Sequence, residues 1–218
     1  NDYIPPSEDS AGIGYWGLMG HGPRGWNEQG GPNPMCAWSL RRLGWLGVDN
    51  RQLQLVDARI DSAILEDVNA GGTVYQLPIR GQIEYLLVEV RRRGASYYER
   101  NLPAEGVLIW HVDESKTSND AEQGKLVDLV CADGRYRNGG FGYGPAAGPE
   151  PNDGGDNLDF WAHDESYTAQ RHGNLGDATD VFDGERYTGF WVLSNPAAPI
   201  GVSVTGIRRQ GERFVAVL

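Results

Sequence analysis

The sequence has no long apolar run and few basic residues, and each shortage excludes a class of protein. No apolar stretch approaches the roughly 20 residues that a bilayer core requires, so we expect no membrane span. Only 19 lysines and arginines oppose 30 aspartates and glutamates, which gives a net charge of −11. An acidic chain repels a phosphate backbone, so nucleic acid is not an expected partner. The 218 residues are 39% hydrophobic, which is enough for a folded core.

Cysteine is also scarce, since the chain contains only Cys36 and Cys131. One disulfide between them would stabilise the fold by about 4–5 kcal/mol in the chain-entropy model. Two buried free thiols are an equally good interpretation, because free cysteine is among the most buried residue types. The low lysine content, the many tryptophans and glycines and the acidity are typical of an exported protein. We therefore expect a secreted or extracellular location.

The acid excess is concentrated in one segment. From Pro149 to Glu185, ten aspartates and glutamates stand against the single Arg171. Within this segment Asp153, Asp156 and Asp159 follow one another at three-residue spacing. Ca²⁺ binds about six to eight oxygen ligands, and a loop of this kind can supply them. The segment is thus either a calcium site or a solvated acidic loop. Additional candidate ligands are Asp164, Asp180 and Asp183.

The residue pattern changes along the chain from loop to helix to strands, which predicts an α+β fold. Many glycines and prolines indicate an ordered loop over residues 1–34. Asn33 as N-cap, Pro34 in the first turn and Gly44 after the last residue predict a short helix over 35–43. Period-two alternation then predicts seven strands. They are 52–58, 73–78, 83–90, 106–112, 126–131, 201–207 and 214–218. The strands 83–90 and 106–112 are the most hydrophobic and are expected at the centre of a sheet.

This pattern divides the chain into residues 1–50, which hold the loop and helix, and a mainly antiparallel β region over 51–218 with long Gly/Asp-rich loops. No element is predicted over 132–185. In the strand 106–112, His111 alternates onto the same face as Asp113. We interpret His111 as a structural histidine hydrogen-bonded to Asp113 or Glu89 rather than as a catalytic group.

Four linked segments have an order and spacing that is more specific than any one of them. They are GYWGLMGHG at 14–22, followed by Pro34, Ala37-Trp38 and Leu43-Gly44-Trp45; VEVR at 88–91, with Leu102-Pro103 and GVLIWHVDE at 106–114; VDLVCADG at 127–134; and GDNLD at 155–159. Together they resemble the immune inhibitor A-like family of secreted zinc metallopeptidases, which are metzincin-type enzymes. The resemblance covers nearly the whole chain.

The resemblance implies a function for the loop around Met19. Met19 matches the Met-turn of metzincins, the apolar floor beneath the zinc ion. Tyr15, Trp16 and His21 become candidates to line the substrate cleft, while ordinary core anchoring is the alternative interpretation for Tyr15, Trp16 and Met19. Residues 1–50 would then be the C-terminal part of a catalytic subdomain. The resemblance also points to calcium near the acidic segment.

The chain departs from the family in one respect, because it contains no H-E-x-x-H. Its four histidines, His21, His111, His163 and His172, include no pair four residues apart that could bind zinc from one helical face. In the family this helix lies just upstream of the position of Asn1, so we expect no catalytic residue in this chain. Zinc is expected only if the upstream segment is present.

Two functions remain open at this point. The first is the C-terminal portion of a metallopeptidase that hydrolyses polypeptides only together with the upstream H-E-x-x-H segment, which would be its partner. The second is a non-catalytic extracellular module that keeps the peptidase scaffold for structure or for binding another protein.

Overall fold

The computed structural model describes residues 12–120, 125–133, 142–144, 175–193 and 201–218. Within these residues one α-helix and ten strands form an α+β fold with two mostly antiparallel sheets, which confirms the predicted class. The helix α1 is Ala37–Leu43. The strands are β1 (Leu53–Leu55), β2 (Ala63–Leu65), β3 (Val74–Arg80), β4 (Glu84–Arg91), β5 (Gly106–Asp113), β6 (Val127–Val130), β7 (Gly142–Gly144), β8 (Phe190–Leu193), β9 (Ser203–Gln210) and β10 (Arg213–Val217). In these ranges no helix has the length and apolarity needed to cross a membrane.

Helix α1 ends where the sequence predicts and begins later. Gly44 adopts the left-handed conformation (φ 75°) that closes a helix, and its N–H donates to the last turn. The N-cap is Cys36 rather than Asn33. Asn33 lies three residues before this N-cap, and its side-chain amide instead donates to Tyr15 O (2.7 Å). The N–H of Ala37, the first helical residue, donates to Glu89 Oε1 (3.3 Å), which is distant in sequence.

The first sheet has the strand order β1-β3-β4-β5-β6, with β1 parallel to β3 and the other pairs antiparallel. All eight residues of β4 and all eight of β5 are buried. These two strands pair along their whole length. The prediction that the two most hydrophobic segments lie inside a sheet is therefore confirmed, whereas β1 has three residues instead of the predicted seven.

The second sheet has the order β2-β10-β9-β8-β7, and its pairs are antiparallel. Three of its strands were not predicted. β2, β7 and β8 are only three or four residues long, which is too short for alternation to stand out from the background. The prediction of no element over 132–185 is wrong at β7, which lies within that range.

The first sheet is the middle layer between two hydrophobic cores. Leu86 and Val88 face the second sheet and pack in one core with residues such as Phe214. Leu87 faces the opposite way and packs in the other core with Trp16 from the N-terminal loop region. We call this the second core. Burial on both faces explains the continuous apolar runs in β4 and β5. Each leucine or phenylalanine fully buried here contributes about 1.5–3 kcal/mol of transfer free energy.

Candidate functional site

A tight turn carries Met19 at its tip. Gly20 N–H donates to Gly17 O (3.0 Å), and His21 N–H donates to Gly14 O (2.8 Å). A Cβ on Gly20 would lie 2.5 Å from the Gly14 carbonyl oxygen, so glycine is needed for this close approach. Met19 itself is 75% exposed. The backbone hydrogen bonds of the turn thus hold a large apolar side chain at the surface.

The candidate cleft residues lie in two different environments. The rings of Tyr15 and His21 contact edge to face, with centroids 6.3 Å apart. Tyr15 is partly buried and His21 is exposed. Trp16, by contrast, is only 1% exposed and packs edge-on against Trp26 at a centroid distance of 4.7 Å. The structure therefore brings Tyr15 and His21 together beside the turn and places Trp16 in the core.

Two hydrogen bonds join this loop to the segment 175–180. Trp16 Nε1 donates to Asp180 Oδ2 (2.6 Å), and Tyr15 N–H donates to Leu175 O (2.8 Å). Asp180 is 1% exposed, and its Oδ2 also accepts from the Asp177 N–H (2.8 Å). Buried polar groups need hydrogen-bond partners, so this buried contact anchors the loop to the segment 175–180. Oδ2 of Asp180, a candidate calcium ligand, is thus occupied by protein donors.

A second buried carboxylate, that of Asp133, lies beside the same segment. Asp133 Oδ2 accepts from the Thr179 hydroxyl (2.6 Å), which is also 2.7 Å from Asp177 Oδ1. Asp133 Oδ1 is buried and has no hydrogen-bond partner among the described residues. Burial, opposed by the Thr179 hydrogen bond and reinforced by the Asp177 charge, raises the pKa of Asp133 to about 6. Asp133 was not among the predicted site residues.

The described ranges contain no group of three or more His, Cys, Asp or Glu side chains that could hold a metal ion. Asp183, another candidate calcium ligand, accepts hydrogen bonds from three backbone N–H groups, those of residues 185–187, through Oδ1 at 2.9–3.0 Å. Its Oδ1 therefore stabilises a turn. The remaining candidate ligands, Asp153, Asp156, Asp159 and Asp164, lie outside the described residues, and calcium at that segment stays a prediction.

A buried charged cluster lies against the start of α1, and it was not predicted. Arg91 is 1% exposed and donates from Nη2 to Glu89 Oε1 (3.0 Å) and from Nη1 to Glu99 Oε1 (3.4 Å). Burial, opposed by Arg91 and reinforced by Asp67 and Glu89, raises the pKa of Glu99 to about 8. The carboxyl groups of three buried residues, Asp67, Glu89 and Glu99, thus surround one guanidinium. The available signal was the pair of charged residues, Glu89 and Arg91, at the end of a strand that was expected at the centre of a sheet.

His111 forms its hydrogen bond with a residue that was not predicted. Its Nε2 lies 3.0 Å from Glu84 Oε1. The β4–β5 register pairs Glu84 with Asp113, two residues from His111, so Glu84 shares the face of His111. Glu89 is on the opposite face, where its Oε1 accepts from Trp110 Nε1 (2.8 Å). Although burial opposes it, the hydrogen bonds with His111 and Arg80 lower the pKa of Glu84.

Neither Cys36 nor Cys131 forms a disulfide and both are buried, so the disulfide alternative is wrong in this structure. Burial raises the pKa of the Cys36 thiol, although a hydrogen bond with Ser39 opposes the shift. A thiol with a raised pKa holds little thiolate at neutral pH and is a poor nucleophile. Cys36 is therefore a packing residue of the second core.

No family model, no curated protein and no solved structure matches this chain. Membership of the immune inhibitor A-like family therefore remains a prediction from the motifs quoted above.

Proposed function

We propose that this chain is the C-terminal portion of an immune inhibitor A-like secreted metallopeptidase, which hydrolyses polypeptides only together with an upstream H-E-x-x-H segment. That segment would bind the zinc ion, which activates water for attack on a peptide carbonyl. This chain would contribute no zinc ligand. Met19 would form the apolar floor of the metal site, and Tyr15 and His21 would line the substrate cleft.

The observation that supports this proposal most is the exposure of Met19. Burial of a methionine side chain contributes about 1.5–3 kcal/mol, so an exposed one on a well-formed turn can stabilise whatever packs on it. Met19 is 75% exposed, and the turn below it is held by backbone hydrogen bonds. Tyr15 and His21 add partly exposed aromatic rings beside the turn. A zinc-bearing helix is the element that the sequence motifs indicate for this surface.

The test uses a longer protein that includes the coding region upstream of Asn1. We expect one zinc per chain and cleavage of fluorescein-labelled casein. Met19→Ser should lower activity or zinc affinity about tenfold or more, the cost typical of residues that support metal ligands. Val48→Ser is the matched control, because Val48 is also exposed (68%) but lies after helix α1. That control should retain full activity.

Two results would contradict the proposal. An upstream region without an intact H-E-x-x-H would favour the second function, a non-catalytic extracellular module that binds another protein. Zinc bound entirely by residues 1–218, or peptide cleavage by them alone, would show that the metal centre lies elsewhere.

The proposal includes calcium as a structural cation of the acidic segment. It is supported by the concentration of charge there, ten acidic residues against one arginine over 149–185. Such a concentration of like charge is destabilising unless a cation or solvent compensates it. Calcium would compensate the charge and would be available in the extracellular location that we propose.

A further inference from the structure

The residues that connect the Met19 turn to helix α1, Asn33 to Cys36, are bound to that turn by three hydrogen bonds. We call them the connecting segment. The bonds run from Asn33 Nδ2 to Tyr15 O (2.7 Å), from Asn33 N–H to Gly22 O (2.8 Å) and from Leu18 N–H to Pro34 O (2.9 Å). They reach both ends of the turn and the residue just before Met19. The position of the turn therefore follows the position of the connecting segment.

The other side of the connecting segment is bound to strand β4. Arg91 Nη2 donates to Met35 O (2.7 Å). Immediately after the segment, Ala37 N–H donates to Glu89 Oε1 (3.3 Å). Met35 follows Pro34, the residue that binds Leu18. The guanidinium of Arg91 is thus linked to the Met19 turn by two hydrogen bonds and one residue of backbone.

Arg91 is itself held on several sides. It is 1% exposed, and Glu89 and Glu99 accept from its two terminal nitrogens. A buried guanidinium bound to two carboxyl groups has a planar, fixed geometry, so orienting a carbonyl costs it little further entropy. Breaking such a pair by removing one partner leaves an uncompensated buried charge. The cluster is therefore a rigid support for Met35 O.

We propose that Arg91 is a positioning residue for the Met19 turn: through Met35 O and the connecting segment, it fixes the place of the side chain that would lie beneath the metal. The inference rests on the proposed function for its consequence in catalysis. The mechanical link from Arg91 to the turn can be tested by itself.

The cluster also gives this link a dependence on pH. The groups that face Glu99 are Arg91 and Glu89 from β4 and Asp67 at the start of the turn Val68–Ala70, and the Cys36 thiol lies near Glu89 and Arg91. Because the pKa of Glu99 is raised to about 8, this carboxyl is neutral at pH 7 and ionises above pH 8. Ionisation places a further negative charge in a buried site that has a single cation. We expect the connecting segment to loosen there.

The test is hydrogen exchange of single amides by NMR, compared as protection factors so that the intrinsic pH dependence is removed. In the unaltered protein the Leu18 amide should lose about tenfold or more of its protection between pH 7 and pH 9. Glu99→Gln, which keeps the neutral form, should abolish that loss. Arg91→Lys keeps the positive charge but removes the planar guanidinium with its two terminal nitrogens. It should lower Leu18 protection about tenfold at pH 7.

Two controls separate positioning from general stability. The Ile60 amide, which donates to Leu218 O (2.8 Å) away from the cluster, should keep its protection in Arg91→Lys. The matched variant Arg41→Lys alters another arginine that fixes α1, through the Tyr85 hydroxyl (2.9 Å), and should leave Leu18 unchanged.

Three results would overturn the inference. The first is an equal loss of protection at Leu18 and Ile60 in Arg91→Lys. The second is an effect of Arg41→Lys on Leu18 protection that is as large as the effect of Arg91→Lys. The third is a loss of Leu18 protection at alkaline pH that persists in Glu99→Gln. If Arg91→Lys does not fold, Glu99→Gln alone decides. No peptide cleavage enters this measurement, so its failure is distinguishable from failure of the proposed function.

Discussion

Trp16 is the residue at which the loop, the core and the segment 175–180 meet. Its ring packs on Trp26 in the second core, and its Nε1 donates to the buried Asp180 Oδ2 (2.6 Å). A phenylalanine would keep most of the packing and lose the donor. Removing one hydrogen-bond donor from a buried carboxyl group costs about 1–3 kcal/mol of stability. We therefore expect Trp16→Phe to lower the free energy of unfolding by that amount, measured by urea denaturation followed by circular dichroism.

Trp45→Phe is the control for that measurement, because Trp45 is 60% exposed. Its effect should stay within about 0.5 kcal/mol, as is usual for surface substitutions. If the two variants lose equal stability, the Trp16–Asp180 hydrogen bond is not the anchor described above.

Single residues of this kind show the limit of prediction from sequence. A tryptophan in a glycine-rich loop indicates an anchor, but its acceptor is 164 positions away along the chain. Among the described residues, Glu84 rather than Asp113 or Glu89 binds His111 Nε2, because the choice depends on strand register and strand face. Asp133 and Arg91 stand out only after folding has buried them. Burial and long-range pairing are properties of the tertiary structure, and no local pattern encodes them.

At the scale of elements, the end of helix α1 depends on Gly44. Its φ of 75° is a left-handed conformation that costs other residues about 1–2 kcal/mol. A Cβ at this position would meet nothing within 4 Å, so the backbone is the only source of strain. Gly44→Ala should therefore lower the free energy of unfolding by about 1 kcal/mol in urea denaturation.

Gly94→Ala is the matched control, since a Cβ there also meets nothing within 4 Å and Gly94 lacks a left-handed φ. We expect it to be neutral or slightly stabilising, because alanine restricts the unfolded chain. Equal destabilisation by both variants would mean that the helix does not depend on a left-handed cap.

Elements with strong local signals were predicted, and those made by distant pairing were not. β4 and β5 carry continuous apolar runs, and Gly44 ends a clear helical segment, so all three were found. The Asn33–Pro34 signal misplaced the start of α1, because residues 33–36 make tertiary hydrogen bonds to the Met19 turn and the helix begins only at Ala37. β2 is a strand only because β10 pairs with it, across about 150 residues of chain.

At the scale of the whole molecule, the uneven distribution of charge leads to a prediction. The net charge is −11, and most of the excess lies in the acidic segment 149–185. If calcium binds there at about 100 times its dissociation constant, it adds about 2.7 kcal/mol of stability. In a chain of this size that corresponds to about 5–10 °C in melting temperature. Chelation by EGTA should therefore lower the melting temperature by this amount and increase proteolysis of residues 135–185.

The double variant Asp156→Asn, Asp159→Asn should reproduce the effect of EGTA and make the protein insensitive to it. Asp57→Asn with Asp61→Asn is the control, because it removes the same charge outside the acidic segment. A melting temperature and a cleavage pattern that EGTA does not change would end the calcium proposal.

The place of β10 in the second sheet has a consequence for biosynthesis. β2 (Ala63–Leu65) pairs with β10 (Arg213–Val217), and β10 also joins it to β9. During translation β2 leaves the ribosome long before its partner is made. The first sheet, whose strands are close in sequence, can assemble earlier, but one of its faces stays uncovered until Val217 has emerged. Nascent chains stalled before that point should therefore be the form that chaperones recognise.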